Sequence, residues 1–381
     1  MKISIIGSRG LPATYGGFET LAHYLSLGLI KKGYEIIVSC KYKNKDERIE
    51  DYEGVKLFYP PINSPRFHFQ YFYEVFSDIY FFYALSFKSD VIYILGTGVG
   101  SFSFIPKLFH KSKIIANVAG LEYKRDKYNG LQKSIIKLNT ILLTLFADVI
   151  IVDAKVLTKY INPHFQKKIV YISYGASEIE DIRWDDKKLQ TILLNENEKK
   201  IVPNKYWLVV ARLQQDNNIH TIIEGFLKSD STMKLVIVGE YSSKKYKKDI
   251  DKLLNRDTDS KILMIGGVYD RDLLTMLRKN CFGHIHGHSV GGTNPSLLEA
   301  MMMKNLIIAH ENEFNREVGS QTILYFKDSS ELTNLINAIE KDPGKYLALR
   351  QNAHSRVKSL YNWDKVTEEY ENLFKCTVRG E

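Results

Sequence analysis

Short apolar segments that alternate with helical segments dominate the first half of this sequence. Each is rich in Val, Ile or Tyr and stops at a Gly or a polar residue: KISIIG, YEIIVSCK, GVKLFYP, DVIYILG, KIIANVAG, DVIIVD and IVYISYG. Because these runs are continuously apolar, they are typical of strands buried on both faces of a parallel sheet. Helical segments such as FETLAHYLSLGLIKKG separate them. The pattern predicts βαβ units and an α/β fold.

A second series of the same kind follows a change in composition. Residues 177–205 carry many charges and no long apolar run, which predicts a linker. Further strands are predicted in WLVVARL, KLVIVGE, KILMIGG, CFGHIHG, NLIIAH and TILYF. We therefore expect two doubly wound, Rossmann-like domains, 1–176 and 206–356, that face each other across a cleft. Ligands of such sheets bind beyond the carboxyl ends of the strands.

Composition restricts the partners of this chain. The net charge of +9 favours a phosphorylated small molecule or an acidic lipid. We expect no nucleic-acid partner, since no helix-turn-helix or stacking platform is evident. The three distant cysteines predict neither a metal site nor a disulfide framework and fit a reducing compartment. With no export signal and no uncharged apolar stretch of about eighteen residues, we expect a cytoplasmic protein.

A glycine-rich turn, GSRGLPATYGGFE, joins the first predicted strand to the first helix. Gly16 and Gly17 stand where that helix begins, so backbone N–H groups can approach an anion there. The spacing is not that of the dinucleotide fingerprint. A long flexible loop without a ligand explains the same residues, and the spacing alone leaves both interpretations open.

A second glycine-containing turn, HGHSVGGTNPSLLEAM, leads from a strand into a helix over residues 286–301. Thr293 or Asn294 can cap the helix and Pro295 suits its first turn, which predicts an anion site. Glu299 either accepts hydrogen bonds from ribose hydroxyls or complements the helix dipole. His288, next to the glycines, is the histidine that we expect to touch a substrate.

We expect no metal site in this chain. His284, His286 and His288 alternate, which places them on one strand face, but no Cys or carboxylate set completes a site. Asp257-Thr258-Asp259 resembles an Asp-x-Asp metal motif. It stands before its strand, on the side opposite to active sites, and predicts a loop.

Two further charged positions follow predicted strands. Arg212 ends WLVVARL, where it can clamp a phosphate or form a surface ion pair. Glu122 and Arg125 follow KIIANVAG, where they can meet a sugar hydroxyl or a phosphate, or belong to a solvated loop.

Together these motifs resemble the bacterial rhamnosyltransferases of retaining glycosyltransferase family four. The resemblance rests on Gly-x-Arg-Gly-x-Pro-x-x-Tyr-Gly-Gly-Phe-Glu, Gly-Leu-Glu-aromatic-Lys-Arg and Gly-Gly-Thr-Asn-Pro-Ser-Leu-Leu-Glu-Ala-Met, and covers nearly the whole chain. It implies a GT-B fold whose C-terminal helix, about 357–381, returns to the first domain. It also implies metal-independent transfer of a sugar, typically rhamnose from dTDP-rhamnose, onto a lipid-pyrophosphate-linked saccharide in capsule or cell-wall synthesis.

The resemblance also implies roles for single residues. The donor-binding residues would be Gly16, Gly17, Arg212, Val268, Tyr269, His288, Thr293, Asn294, Pro295, Ser296 and Glu299. The acceptor-binding residues would be Arg9, Tyr15, Glu19, Glu122 and Arg125. Glu122, Arg212 and Glu299 would be catalytic, with Glu122 orienting the acceptor. No convincing carboxylate nucleophile is evident, so we expect front-face transfer with retained anomeric configuration.

Three positions depart from the family pattern: Ala119 stands where Asp is common, Asn217 replaces a Lys, and Gly291 replaces a Glu. They motivate an alternative, a nucleotide-sugar-binding protein without catalysis. A transferase that uses another nucleotide sugar is a further alternative.

An aromatic segment predicts association with an anionic membrane surface. Its helical stripe comprises Phe69, Phe72, Tyr73, Phe76, Ile79, Tyr80 and Tyr83. A basic loop in the same domain comprises Lys41, Lys43, Lys45 and Arg48. The alternative is that the aromatic helix is buried against the sheet.

Overall fold

The computed structural model describes residues 1–13, 16–41, 46, 48–63, 70–109, 111–118, 120, 122–124, 128–178, 182–190 and 201–380. The chain divides into two compact units. Unit 1 contains the described residues of 1–124 and 128–175 together with 363–380, and unit 2 contains those of 176–362.

Unit 1 is built on an eight-stranded sheet. Its strands are β1 (Lys2–Ile6), β2 (Glu35–Ser39), β3 (Asp51–Tyr52), β4 (Val55–Phe58), β5 (Val91–Leu95), β6 (Lys113–Asn117), β7 (Val149–Val152) and β8 (Ile169–Tyr171). Their order is β3-β4-β2-β1-β5-β6-β7-β8, and only the β3–β4 pair is antiparallel. The helices are α1 (Gly17–Lys31), α2 (Gln70–Ser86), α3 (Ile105–Phe109), α4 (Gly130–Phe146) and the C-terminal α13 (Trp363–Arg379).

The returning C-terminal helix is confirmed, and a buried polar network joins it to the sheet. The Tyr93 and Tyr370 hydroxyls lie 2.7 Å apart, and Asn117 Nδ2 donates to the Tyr93 hydroxyl over 2.8 Å. Gly28 lets α1 approach α13, because a Cβ there would lie 2.6 Å from Thr367 Oγ1. The two hydroxyls and the Asn117 amide group are thus linked inside the core, and these bonds help to fix where α13 docks on unit 1.

Unit 2 is built on a six-stranded parallel sheet. Its strands are β9 (Tyr206–Val210), β10 (Lys234–Val238), β11 (Ile262–Gly266), β12 (Gly283–His286), β13 (Ile307–His310) and β14 (Leu324–Phe326), in the order β11-β10-β9-β12-β13-β14. The helices are α5 (Asp186–Gln190), α6 (Ile219–Leu227), α7 (Lys244–Leu254), α8 (Arg271–Lys279), α9 (Pro295–Met302), α10 (Glu313–Gly319), α11 (Ser329–Lys341) and α12 (Leu347–Leu360).

The predicted linker and the predicted start of the returning helix both need correction. Leu189 and Ile201 are buried in the core of unit 2, so the described part of 177–205 packs on that unit. Residues from 357 onward do not all return to unit 1, because α12 is held in unit 2. His354 Nδ1 lies 2.9 Å from Met302 O, and Arg350 Nη2 donates to Phe282 O over 2.6 Å. The returning helix begins at Trp363.

The α/β prediction with two Rossmann-like sheets is therefore confirmed. In each sheet the strand order reverses once, between β1 and β5 in unit 1 and between β9 and β12 in unit 2. Ligands of such sheets bind at this reversal, beyond the carboxyl ends of the strands. None of the helices in the described part of the chain has the length and apolarity needed to cross a bilayer.

Candidate functional site

Two loops meet where the strand order of unit 2 reverses. The loop after β9 contains Asp216 and Asn218, and the loop after β12 contains Gly287 and Ser289. The Ser289 N–H and hydroxyl both donate to Asp216 O, over 2.9 and 2.8 Å. Asn218 Nδ2 donates to Gly287 O over 2.8 Å. These bonds fasten the two loops together and give the edge of the sheet a fixed shape.

Glycines in the β12–α9 loop have two different functions. A Cβ on Gly287 would lie 2.1 Å from Asn217 O, so the close approach of the two loops requires glycine there. Gly291 has a φ of +151°, which disfavours other residues, and no atom of the described residues lies within 4 Å of its Cβ position. The backbone at Gly291 is thus open to a ligand and lines a small pocket with His288 and Asn294.

Helix α9 begins as predicted, with Asn294 as the capping residue. Its side chain accepts a 3.0 Å hydrogen bond from the Ser296 N–H, and Pro295 occupies the first turn. The Ser296 hydroxyl donates to Val210 O over 3.1 Å and accepts from Arg278 Nη2 over 3.3 Å. The side chain of Ser296 therefore holds α9 against β9, and the predicted contact of Ser296 with the donor stays a prediction. Thr293 beside it is buried.

Arg278 forms an ion pair with the carboxylate of Glu299, a role that the sequence patterns did not predict. Its Nη1 lies 2.6 Å from Glu299 Oε2, and the side chains are 7% and 38% exposed, respectively. A buried guanidinium thus holds a half-exposed carboxylate, which therefore does more than complement the helix dipole. Arg278 and Lys279 are adjacent basic residues in the last turn of α8, so the sequence does not indicate that Arg278 is the buried one.

His284 and His286 of β12 and His288 just after it stack on one another, as their alternation predicts. The rings of His286 and His288 stack with centroids 4.4 Å apart, and those of His284 and His286 with centroids 6.3 Å apart. Burial lowers the pKa of His284 to about 3, with Arg278 and His288 adding to the effect, and burial lowers the pKa of His286 strongly as well. Both rings are therefore neutral at pH 7 and carry no positive charge toward an anion.

The other residues predicted to bind the donor lie at the same edge of unit 2. Arg212 follows β9 and is half-buried, and its carbonyl accepts a 2.7 Å hydrogen bond from Asn217 Nδ2. Val268 is buried after β11, whereas Tyr269 is 57% exposed. Glu240 approaches these residues, since a Cβ on Gly267 would lie 2.9 Å from its Oε1. The edge thus offers an arginine, an open backbone, a carboxylate and an aromatic ring.

The N-terminal turn of unit 1 brings some of the predicted acceptor residues together. Arg9 Nε lies 3.9 Å from Glu19 Oε1, and Glu19 is largely buried. Gly16, with a φ of +119°, precedes Gly17 at the start of α1. Glu122, in the loop after β6, accepts a 3.3 Å hydrogen bond from the Tyr128 hydroxyl. The predicted site residues Tyr15 and Arg125, and also Ala119, lie outside the described residues.

Asp153 is a second residue that the sequence analysis missed. It follows β7 at the carboxyl edge of the unit 1 sheet and is 3% exposed. Burial raises the pKa of Tyr174, and the charges of Asp153 and Glu19 raise it further, so the two carboxylates lie near one phenol. The sequence could have pointed to Asp153, because this acid directly follows the apolar residues of the predicted strand DVIIVD.

Comparisons with known proteins agree with this architecture. The family model "Domain of unknown function (DUF1972)" matches residues 1–177, and "Glycosyl transferases group 1" matches residues 193–356. An uncharacterised glycosyltransferase of Methanocaldococcus jannaschii, MJ1069, is 27% identical over 61% of this chain and 59% of its own length, less than two thirds of that relative.

Two solved structures share the fold over nearly the full chain. Sucrose-phosphate synthase from Thermosynechococcus elongatus has a TM-score of 0.80 at 16% identity, with 100% of both chains covered. Anabaena Alr3699/HepE in complex with UDP-glucose has a TM-score of 0.74 at 13% identity, covering 98% of this chain and 99% of that one. At these identities they show the fold alone. The chain therefore has the GT-B fold, and residues 193–356 match the group 1 glycosyltransferase model.

Proposed function

We propose that this chain is a retaining glycosyltransferase whose unit 2 binds a nucleotide-sugar donor. The observation that carries the proposal is Glu299, a half-exposed carboxylate held by buried Arg278, on the helix that follows the glycine turn at Gly291. A carboxylate fixed in this way is suited to accept hydrogen bonds from ribose hydroxyls. Backbone N–H groups at a glycine turn before a helix are suited to a diphosphate.

The proposed donor is a nucleoside diphosphate sugar, with rhamnose from dTDP-rhamnose favoured by the family resemblance. The Anabaena protein is described in complex with UDP-glucose, which supports a nucleotide sugar as the class. Arg212 would bind the diphosphate, and the exposed ring of Tyr269 would lie against the base, near Val268. We expect no metal requirement, because the helix N-terminus and Arg212 can stabilise the leaving group's charge.

In the proposed mechanism the acceptor hydroxyl attacks on the face from which the diphosphate leaves. A diphosphate oxygen takes the hydroxyl proton, the new glycosidic bond forms, and the bond to the diphosphate breaks. Glu122 would orient the acceptor, with Arg9 and Glu19 as further acceptor contacts. Glu122→Gln should slow turnover without trapping a covalent sugar adduct, and NMR should show the donor's configuration in the product. Inversion or an adduct on Glu122 would contradict front-face transfer.

Two of the three departures that motivate the alternative, a binding protein without catalysis, have a conformational explanation in unit 2. Asn217 has a structural role, since its side chain holds the carbonyl of Arg212. Gly291 has one as well, because its φ of +151° disfavours a Glu at that position. The third departure, Ala119 in place of an Asp, lies outside the described residues.

The proposed acceptor is a lipid-pyrophosphate-linked saccharide, with the enzyme peripheral to a membrane. On α2, Phe72, Phe76, Ile79 and Tyr83 are exposed, which supports this proposal, while Tyr73 is buried. The predicted basic loop is partly wrong, because Lys41 is buried in an ion pair with Asp78. Arg48 donates to Pro60 O and Ile62 O, and Phe69, Lys43 and Lys45 lie outside the described residues.

A mass-spectrometric turnover screen tests the proposal. The full chain is incubated with dTDP-rhamnose, UDP-glucose and other nucleotide sugars, with and without lipid-pyrophosphate saccharides. We expect transfer from one donor and slow donor hydrolysis without acceptor. Donor binding with neither transfer nor hydrolysis would favour the binding protein instead.

A further inference from the structure

Helix α4 of unit 1 presents a row of large apolar side chains to solvent. The row consists of Leu131 (73% exposed), Ile135 (48%), Leu138 (54%), Ile141 (50%) and Leu145 (50%). At spacings of three and four residues they form one stripe on the helix. The stripe runs about 21 Å along the helix axis. Single exposed apolar residues are ordinary on a protein surface, but a continuous row of this length marks an interaction site.

A different face of α4, with Asn139 and the buried Leu143, holds the helix in unit 1. Asn139 Nδ2 donates to Gly98 O over 3.0 Å, and the Ser101 hydroxyl donates to Asn139 Oδ1. A Cβ on Gly100 would lie 2.1 Å from Asn139 O, so the backbones approach closely. Asn129 and Gln132 form a capping box at the start of the helix. The apolar stripe is therefore not what anchors α4.

The charges on α4 favour an anionic partner. The helix contains Lys133 and Lys137 and no Asp or Glu. A second copy of the chain that packed α4 against α4 would bring lysines together without any carboxylate of that helix to meet them. An anionic bilayer surface satisfies both features, since it accepts an apolar face lying in the interface plane and attracts Lys137, which lies beside that face on the helix.

Aromatic contacts join α4 to the exposed face of α2. Phe146 at the end of α4 packs on Phe104 with ring centroids 6.0 Å apart, and Phe109 of α3 packs on Tyr83 of α2 at 5.7 Å. Tyr83 is itself 53% exposed. The apolar row of α4 and the aromatic residues of α2 thus lie on connected elements, and aromatic rings favour the boundary between headgroups and acyl chains.

We propose that α4 is the principal membrane-docking helix, lying flat on an anionic bilayer with its leucine and isoleucine row inserted. This deepens the proposed function, on whose membrane-linked acceptor it rests, and it names α4 where the sequence pattern pointed to α2.

Vesicle co-sedimentation tests the proposal with the full chain. The probes are phosphatidylcholine vesicles with and without phosphatidylglycerol at low salt. Wild-type protein should sediment with the anionic vesicles. Leu138→Gln combined with Ile141→Gln should lower the partition constant roughly tenfold, since two apolar side chains no longer transfer from water. Lys137→Gln should lower it about fivefold, and only for the anionic vesicles.

Leu347→Gln is the matched control, because Leu347 is 59% exposed on α12 of unit 2 and should not affect sedimentation. Wild-type binding unaffected by the α4 double variant would overturn the proposal. So would a dimer in ultracentrifugation without lipid that the double variant abolishes. Donor hydrolysis in solution should be equal in wild type and double variant. Its absence from both would count against the proposed function while leaving the docking result interpretable.

Discussion

Helix α1, which follows β1 in unit 1, and helix α9, which follows β12 in unit 2, differ in how their first turns are capped. Helix α9 of unit 2 is capped by Asn294, whose side chain accepts from the Ser296 N–H. Helix α1 of unit 1 follows Gly16, and no side chain among the residues described there caps it. A helix N-terminus leaves several N–H groups without intrahelical partners. In α9 one of them is satisfied by the Asn294 side chain, whereas no described side chain caps those of α1.

The two glycine-rich turns therefore differ in how far side chains of the protein fix the groups that could contact an anion. In unit 2 the groups proposed to bind the donor are held by the protein itself, with Glu299 paired with Arg278 and the loops fastened at Asp216. In unit 1 the start of α1 has Glu19 in its first turn but no capping side chain among the described residues. We therefore expect substitutions in unit 2 to act through positioning and substitutions in unit 1 to act through direct blockage.

The largest expected effect comes from Gly17→Glu at the start of α1. A carboxylate there would occupy the N–H groups that the family resemblance assigns to the donor diphosphate. Turnover should fall about a hundredfold, the size of effect seen when one charge-stabilising group is lost. Stability should not fall, because a negative charge suits a helix N-terminus. The measurement is steady-state turnover together with urea unfolding.

Ser330→Glu, in the first turn of α11, is the matched control for Gly17→Glu. It adds the same charge at an exposed position near a helix N-terminus, away from the proposed site. Equal turnover in Gly17→Glu and Ser330→Glu would mean that α1 does not receive an anion.

Arg278→Met comes next and tests positioning in unit 2. Without the guanidinium, Glu299 loses its partner and Ser296 loses a donor, so donor affinity should fall roughly tenfold. Arg278→Lys should restore part of the affinity, because it keeps the charge but not the fork. Calorimetry measures both. Donor affinity equal to wild type in Arg278→Met would remove Arg278 from the site.

Acid should loosen unit 2 before unit 1, because of the histidine stack. The pKa of His284 is about 3 in the folded protein against an ordinary value of 6.5, so between these values the unfolded chain binds more protons. Stability therefore falls as pH falls below about 6.5, by about 2 kcal/mol at pH 5 from this residue. Hydrogen exchange, corrected for intrinsic rates, should show protection lost in β12 but not in β1. His284→Asn should have a shallower pH dependence than wild type, and an unchanged slope would refute this origin.

The smallest expected effect comes from Asn294→Ala, which removes the cap of α9. Unfolding free energy should fall by about 1 kcal/mol, measured by urea denaturation. The loss of cap would also make α9 resemble α1 at its start. An unfolding free energy equal to that of wild type would mean that the Asn294 cap contributes nothing to stability. The difference in capping between α9 and α1 would then have no effect on stability.

Local rules predicted much of this molecule. The β-strands followed from continuous apolar runs, and the start of α9 followed from Asn294 and Pro295. Long-range burial was not predictable in the same way. Arg278 is buried and its neighbour Lys279 is exposed. The packing of α8 against α9 causes this difference, and the sequence around the two residues does not show it. Likewise, Tyr73 is buried and Phe72 exposed within one aromatic segment. The linker was mistaken because Leu189 and Ile201 are isolated apolar residues among charges.

The most direct test of the central claim is the affinity of Glu299→Ala for the donor nucleotide, measured by calorimetry. Asp272→Ala serves as control, since Asp272 is an exposed carboxylate on α8 that pairs with Lys188 at the surface. If Glu299 binds the ribose, its removal costs charge-assisted hydrogen bonds, and affinity should fall at least about tenfold. The loss should be greater for UDP than for dTDP, which has one sugar hydroxyl fewer. An affinity within about twofold of both wild type and Asp272→Ala, well below the effect of one charged hydrogen bond, would contradict the account.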